Sequence, residues 1–187
     1  DALGDQVARA ARAHPGLPPL AVRTRMIFTI HAALTDEELE RAARELTDPV
    51  IQRSASPRLE PDQPFDWMII VGFKPGVTDN EGRTARAALG DILGRALEPD
   101  EAVYTSRAFL LRGEGLTRAH AERLAGGLLA NPLIETIEIL SPGDWAAGRP
   151  EIRVPRVAGR AEPRVERIEL PGDDDVSLNL NHVLHNI

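Results

Sequence analysis

The sequence contains no cysteine. That excludes disulfide frameworks, thiolate metal sites and cysteine nucleophiles, and it suits the cytoplasm, where we place the protein. Lysine is nearly missing too: Lys74 is the one example, and the formal net charge is −7. Nucleic acid and anionic membrane surfaces need a basic footprint, so neither is an expected partner. No run approaches the roughly 20 apolar residues of a membrane span; the longest, 67–71, has the length of a strand. The opening residues lack the basic-then-apolar order of a signal peptide. They also lack an initiator methionine and begin in mid-repeat, so the sequence reads as a piece of a longer chain.

What is present is a unit written twice. From Val22 the chain reads V-R-T-R-M-I-F-T-I, and from Val103 it reads V-Y-T-S-R-A-F-L-L. Leu34-Thr35 matches Leu116-Thr117, Pro49-Val50-Ile51 matches Pro132-Leu133-Ile134, and Asp1-Ala2-Leu3-Gly4 matches Asp79-Asn80-Glu81-Gly82. Each copy is about 60–70 residues, a size at which folding buries only about 60% of the chain's surface. The copies are therefore expected to bury their apolar faces on each other.

The second copy has the clearer element order. Residues 67–71 form a continuous apolar run, as in a strand covered on both faces. A helix is predicted over 80–96, where Ala85, Ala88, Leu89, Ile92, Leu93 and Ala96 make one stripe, and Glu98-Pro99-Asp100 ends it. A strand is predicted over 103–111. Thr117 caps the next helix, with Ala121, Leu124, Ala125 and Leu128 at helical spacing. In the first copy Thr35-x-x-Glu38 spells a capping box, Leu34 and Leu39 are placed as its hydrophobic staple, and Leu39, Ala42, Ala43 and Leu46 form the buried stripe. Pro49 and Pro132 stop the two capped helices and lead into strands at 50–52 and 133–140. The unit reads β-α-β-α-β, and the first copy lacks its opening strand. The predicted fold is a two-layer α+β domain, the two units forming a pseudo-twofold pair with an antiparallel sheet and helices on one face. The expected divisions are 1–55 for the first unit, 56–65 for a proline-rich linker, 66–140 for the second unit and 141–187 for an extended linker towards a further, catalytic domain.

The chemistry-bearing residues are sparse. Lys74-Pro75-Gly76 is a turn that presents a flexible point charge on a backbone fixed by proline and freed by glycine. It is the candidate contact surface, for a phosphate or a partner carboxylate. It is no P-loop, because Lys-Ser or Lys-Thr does not follow the glycines. His182-x-x-His185, with Asp173-Asp174-Asp175, is the nearest approach to a metal set; it reads as a chain terminus and a solvated acidic run. His31 and His120 read as surface residues. Asp36, Glu37 and Glu38 fill a first helical turn, where acids complement the helix dipole. Trp67 and Trp145 read as packing residues. Neither catalytic residues nor metal ligands are expected in this segment.

A strand, then F-K-P-G-V-T-D-N-E-G (Phe73 to Gly82), then an amphipathic helix resembles the opening of the PurS family. Members form a small subunit of phosphoribosylformylglycinamidine synthase. V-Y-T-S-R-A-F-L-L and L-A-N-P-L-I-E-T-I-E-I-L, with a capped helix between them, resemble the rest of such a unit. Two units in tandem ahead of a proline-rich stretch resemble the N-terminal region of a synthase in which they are fused to the catalytic domain. The likeness covers about residues 1–140. It implies a non-catalytic assembly role in an ATP- and glutamine-dependent ligase of purine biosynthesis. The partners would be that enzyme's synthetase and glutaminase parts, with possible self-association; ATP and Mg²⁺ would belong to the complete enzyme and no cofactor to this segment. Lys74, Pro75 and Gly76 match the family's post-strand motif. The first copy lacks both that strand and K-P-G. The alternative expectation is a free-standing regulatory module that binds a small metabolite between duplicated α+β units.

Overall fold

The computed structural model describes residues 1–47, 63–148 and 154–155. All lie in the unit Asp1–Val157. The predicted strand at 50–52, most of the linker and the Asp173–Asp175 and His182/His185 groups lie outside the described residues.

The chain is α+β. In order come α1 (Ala2–Arg12), β1 (Ala21–His31), α2 (Asp36–Glu45), β2 (Trp67–Phe73), α3 (Asn80–Leu93), β3 (Ala102–Arg112), α4 (Arg118–Leu124), β4 (Glu135–Leu140) and α5 (Pro142–Gly148). The last turn of α4 widens into a π-helical segment, Ala125–Leu129. The four strands form one antiparallel sheet in the order β1-β3-β2-β4.

Side chains alternate across a strand, and the burial follows that alternation. On one face, Val22, Ile69, Val71, Phe109 and Leu111 pack under Val7 and Ala11 of α1 and Ala121, Leu124, Ala125 and Leu129 of α4 and its extension. Val103 and the half-buried Ile30 pack under Ala42 of α2 and Ala85 and Leu89 of α3. Two helix pairs thus sit side by side on one face. On the other face, Met68, Ala108 and Leu110 gather Ile27, Phe65, Ile70, Leu140 and Trp145. Trp145 of α5 meets Phe65 edge-on at 6.5 Å, so β2 is covered on both sides. Burying each of the large side chains is worth about 1.5–3 kcal/mol.

The helices begin where the sequence marks them. Thr35 and Glu38 exchange the predicted pair of hydrogen bonds, at 2.9 and 3.2 Å. Thr117 and His120 make the same reciprocal box, His120 Nδ1 accepting from the Thr117 backbone N–H at 3.2 Å. His120 is therefore a surface residue, as expected, that also caps the helix.

Several boundaries move for identifiable reasons. Helix α3 stops at Leu93 because Gly94 adopts a left-handed cap, φ 67°, and Ala96 is left exposed. Strand β4 starts at Glu135 because residues 131–134 form a turn closed by Ile134 N–H and Glu135 N–H donating to Asn131 O, at 3.2 and 2.8 Å. The expected irregular stretch after 140 opens with α5, whose start is capped by Ser141 and Asp144.

Candidate functional site

Lys74, Pro75 and Gly76 form the turn that leaves β2. Val77 N–H donates to Lys74 O at 3.1 Å, and Gly76 sits at φ 88°. Proline second and a positive-φ glycine third are what a type II turn demands. Pro75 and Gly76 are exposed. The Lys74 ammonium is already engaged: it donates to Pro132 O and, at 3.2 Å, to Leu133 O, while Lys74 N–H donates to Ile134 O at 2.9 Å. The lone lysine clasps the loop before β4, and Leu133, 82% exposed, stands on that loop. The K-P-G turn and this apolar loop therefore form one continuous surface feature.

The turn delivers the chain to Asp79, which does two jobs. One carboxylate oxygen accepts from Gly82 N–H at 2.7 Å and caps α3. The other accepts from Thr105 N–H at 2.6 Å, and the Thr105 hydroxyl lies 3.0 Å from both. The helix start is thereby riveted to β3, and Asp79 and Thr105 are both buried. Gly82 permits the approach: a Cβ there would stand 2.4 Å from Val103 O. The arrangement recurs at α1. Asp1 accepts from Gly4 N–H at 3.1 Å and from Thr24 N–H at 2.6 Å, with the Thr24 hydroxyl at 2.8–2.9 Å. A Cβ at Gly4 would stand 2.3 Å from Val22 O. The pattern D-x-x-G followed about twenty residues on by V-x-T is thus a helix-to-strand clamp. The sequence displays the letters twice, but only the geometry gives them a purpose.

Beside the Asp79 clamp lies an open cleft of about 270 Å³, lined by Phe73, Lys74, Arg83, Arg86, Tyr104 and Thr105 among others. Its cations are partly committed. Arg86 donates to the carbonyls of Glu101, Leu97 and Glu98 at 2.7–3.0 Å and so holds the α3–β3 connection.

Glu101 completes that connection. Arg95 grips it bidentately, at 2.7 and 2.8 Å, and the backbone N–H groups of Glu98 and Ala33 add bonds at 2.8 and 3.3 Å. The Arg95 hydrogen bonds first, then that of Glu98, hold the Glu101 carboxyl down to about 2. Through Ala33 this carboxylate also joins the β3 entrance to the chain between β1 and α2. In the middle of the sheet Arg107 lies opposite Met26, pairs with Glu135 at 2.7 Å and sits over the Phe109 ring, 5.9 Å from its centre.

The remaining candidates stay apart. Glu38 is lowered chiefly by the Thr35 backbone hydrogen bond, which is the chemistry of a cap. Trp67 is half-buried in the main core, its indole N–H donating to Leu116 O at 3.2 Å. His31 ends β1, half-buried. Among the described residues no three His, Cys, Asp or Glu side chains gather as a metal site, and no helix is long and apolar enough to cross a membrane. The described part of the cleft brings together cations, the Tyr104 phenol and the committed Asp79 carboxylate. Compared with protein-family models and with curated proteins, the chain matches none.

Proposed function

We propose that this chain is a non-catalytic assembly segment of phosphoribosylformylglycinamidine synthase, built from two PurS-like units. It works in the cytoplasm and holds the synthetase and glutaminase parts of that purine-biosynthetic ligase together. The observation that carries the reading is the doubled aspartate clamp, with β1 and β3 paired antiparallel so that two matching helix–strand units face each other across Met26 and Arg107. Such a platform offers surfaces on both flanks. The Lys74-Pro75-Gly76 turn and the loop it clasps supply the contact surface in the second unit. ATP and Mg²⁺ belong to the neighbouring catalytic parts in this reading, and no cofactor to the platform itself.

The test is association with separately produced synthetase and glutaminase parts, measured by calorimetry. Saturable binding that weakens several-fold in Lys74→Ala supports the proposal, and absence of binding to either part ends it.

One observation favours a second reading, a regulatory module that binds a small anionic metabolite. The cleft beside Asp79 has Lys74, Arg83, Arg86 and Tyr104 in its lining. A rise in melting temperature with an amino acid or nucleotide alone, with no partner protein present, would favour it.

A further inference from the structure

We propose that the outer edge of β1 is a docking site for an apolar strand of the β2 type, running antiparallel to β1 and joined to Asp1 as β2 is joined to Asp79. Thr24 N–H donates to Asp1, so it points away from β3. Backbone groups two residues apart on an antiparallel strand point the same way. Met26, Phe28 and Ile30 therefore turn their N–H and C=O groups to that same outer side. Among the described residues no strand pairs with it.

The matching groups on β3 are occupied. Arg107, Phe109 and Leu111, which stand 81 positions after Met26, Phe28 and Ile30, face Val71, Ile69 and Trp67 of β2. Side-chain burial records the difference. Phe109 is 1% exposed, whereas Phe28 is 38% and Met26 42% exposed on the helix side of the sheet. An eleven-residue strand whose outer edge meets no other strand among the described residues, and which carries exposed apolar side chains, invites pairing.

The established pairing specifies the occupant. β2 spans six register positions on β3, from Trp67 opposite Leu111 to Gly72 opposite Ser106. Shifted by 81, that footprint covers residues 25–30 of β1. Ile69 and Val71 of β2 bury toward the helix layer and Met68 toward the other face, so the guest is apolar on both sides. The connection is set as well. Asp79 receives its chain from β2 through the turn at 74–78, and Asp1 makes the same contacts as Asp79. A strand linked there arrives at the open edge without a long loop to close.

The test uses the full chain with a copy of residues 65–78 placed directly before Asp1. A control extension carries lysine at the places of Ile69 and Val71. Hydrogen exchange at Met26, Phe28 and Ile30 is the readout. The expected result is exchange slowed at least tenfold by the apolar extension and not by the control, with a rise in melting temperature. Equal exchange with and without the extension overturns the proposal, as does equal protection by the control. So does protection already present in the unextended chain. If it grows with concentration alongside a sedimenting dimer, a second copy holds the edge; if it is independent of concentration, another segment of the chain does.

Discussion

Phe28 and Phe109 occupy matching places in two copies of one pattern, each four residues beyond the threonine of its clamp. Phe109 is sealed between β1 and β2, below the helix pair made by α1 and α4, and Phe28 lies at the rim. The local sequence is the same in kind, and what differs is the neighbour. Among the described residues β3 has a strand on each side and β1 has one. Burial of a strand residue is thus set by what lies beside the strand as much as by its own alternation. The two clamps repeat the lesson more gently. The Asp79–Thr105 contact is buried and its Asp1–Thr24 counterpart exposed, though the distances nearly agree.

Three measurements would break or sharpen this comparison. The largest effect is expected at the phenylalanines. Phe109→Ala should cost about 3–5 kcal/mol in denaturant unfolding, the range for an aromatic removed from a packed core, and Phe28→Ala under about 1 kcal/mol, as at a surface site. Equal losses would mean that Phe28 is covered in solution. Next come the clamps. Asp79→Ala removes a cap and strands the buried Thr105 N–H, an expected loss of about 2–3 kcal/mol. Asp1→Ala removes a solvent-exposed version of the same contact and should cost about 1 kcal/mol.

The smallest effect concerns Glu101, which has no partner copy of its own in the first half. Folding lowers its pKa from the ordinary 4.5 to about 2, so the unfolded chain binds more protons between those values and stability rises with pH there. The contribution is complete above about 4.5 and is lost as pH falls through about 2. Thermal melts between pH 5.5 and 2 should therefore show a shallower acid decline in Arg95→Met than in the parent, because the main cause of the lowering is gone. Parallel declines would discard this account.

The starts of α2, α3 and α4 were legible in the sequence, since caps and stripes are local and each residue's part is set within one or two turns, whereas α5 falls in a stretch expected to be irregular. Thr35, Glu38 and Thr117 announce themselves that way. The α+β class followed from the alternation of strand-length and helix-length patterns. Strand order did not follow, because nothing local to β1 says that it pairs with β3 and not with β2. The capping role of His120 was not foreseen, because histidine is not among the usual third residues of a capping box. Glu101 was missed because its ligands come from Arg95, Glu98 and Ala33, and the last is a distant partner. The aspartates were seen as repeated letters, and the threonines that complete their clamps lie 23 and 26 residues away. Lys74 stood out in the sequence as a conspicuous charge, but its carbonyl partners at Pro132 and Leu133 come from a different part of the chain.

Those separations also bear on the order of events as the chain collapses. Each clamp closes a loop of fewer than thirty residues, whereas bringing Met26 against Arg107 closes one of 107 − 26 = 81. The longer closure costs about 1 kcal/mol more in chain entropy, and contacts distant along the chain are slow to form. Helix-and-strand embryos should therefore mature separately and meet late, with the central seam as the final joint to set.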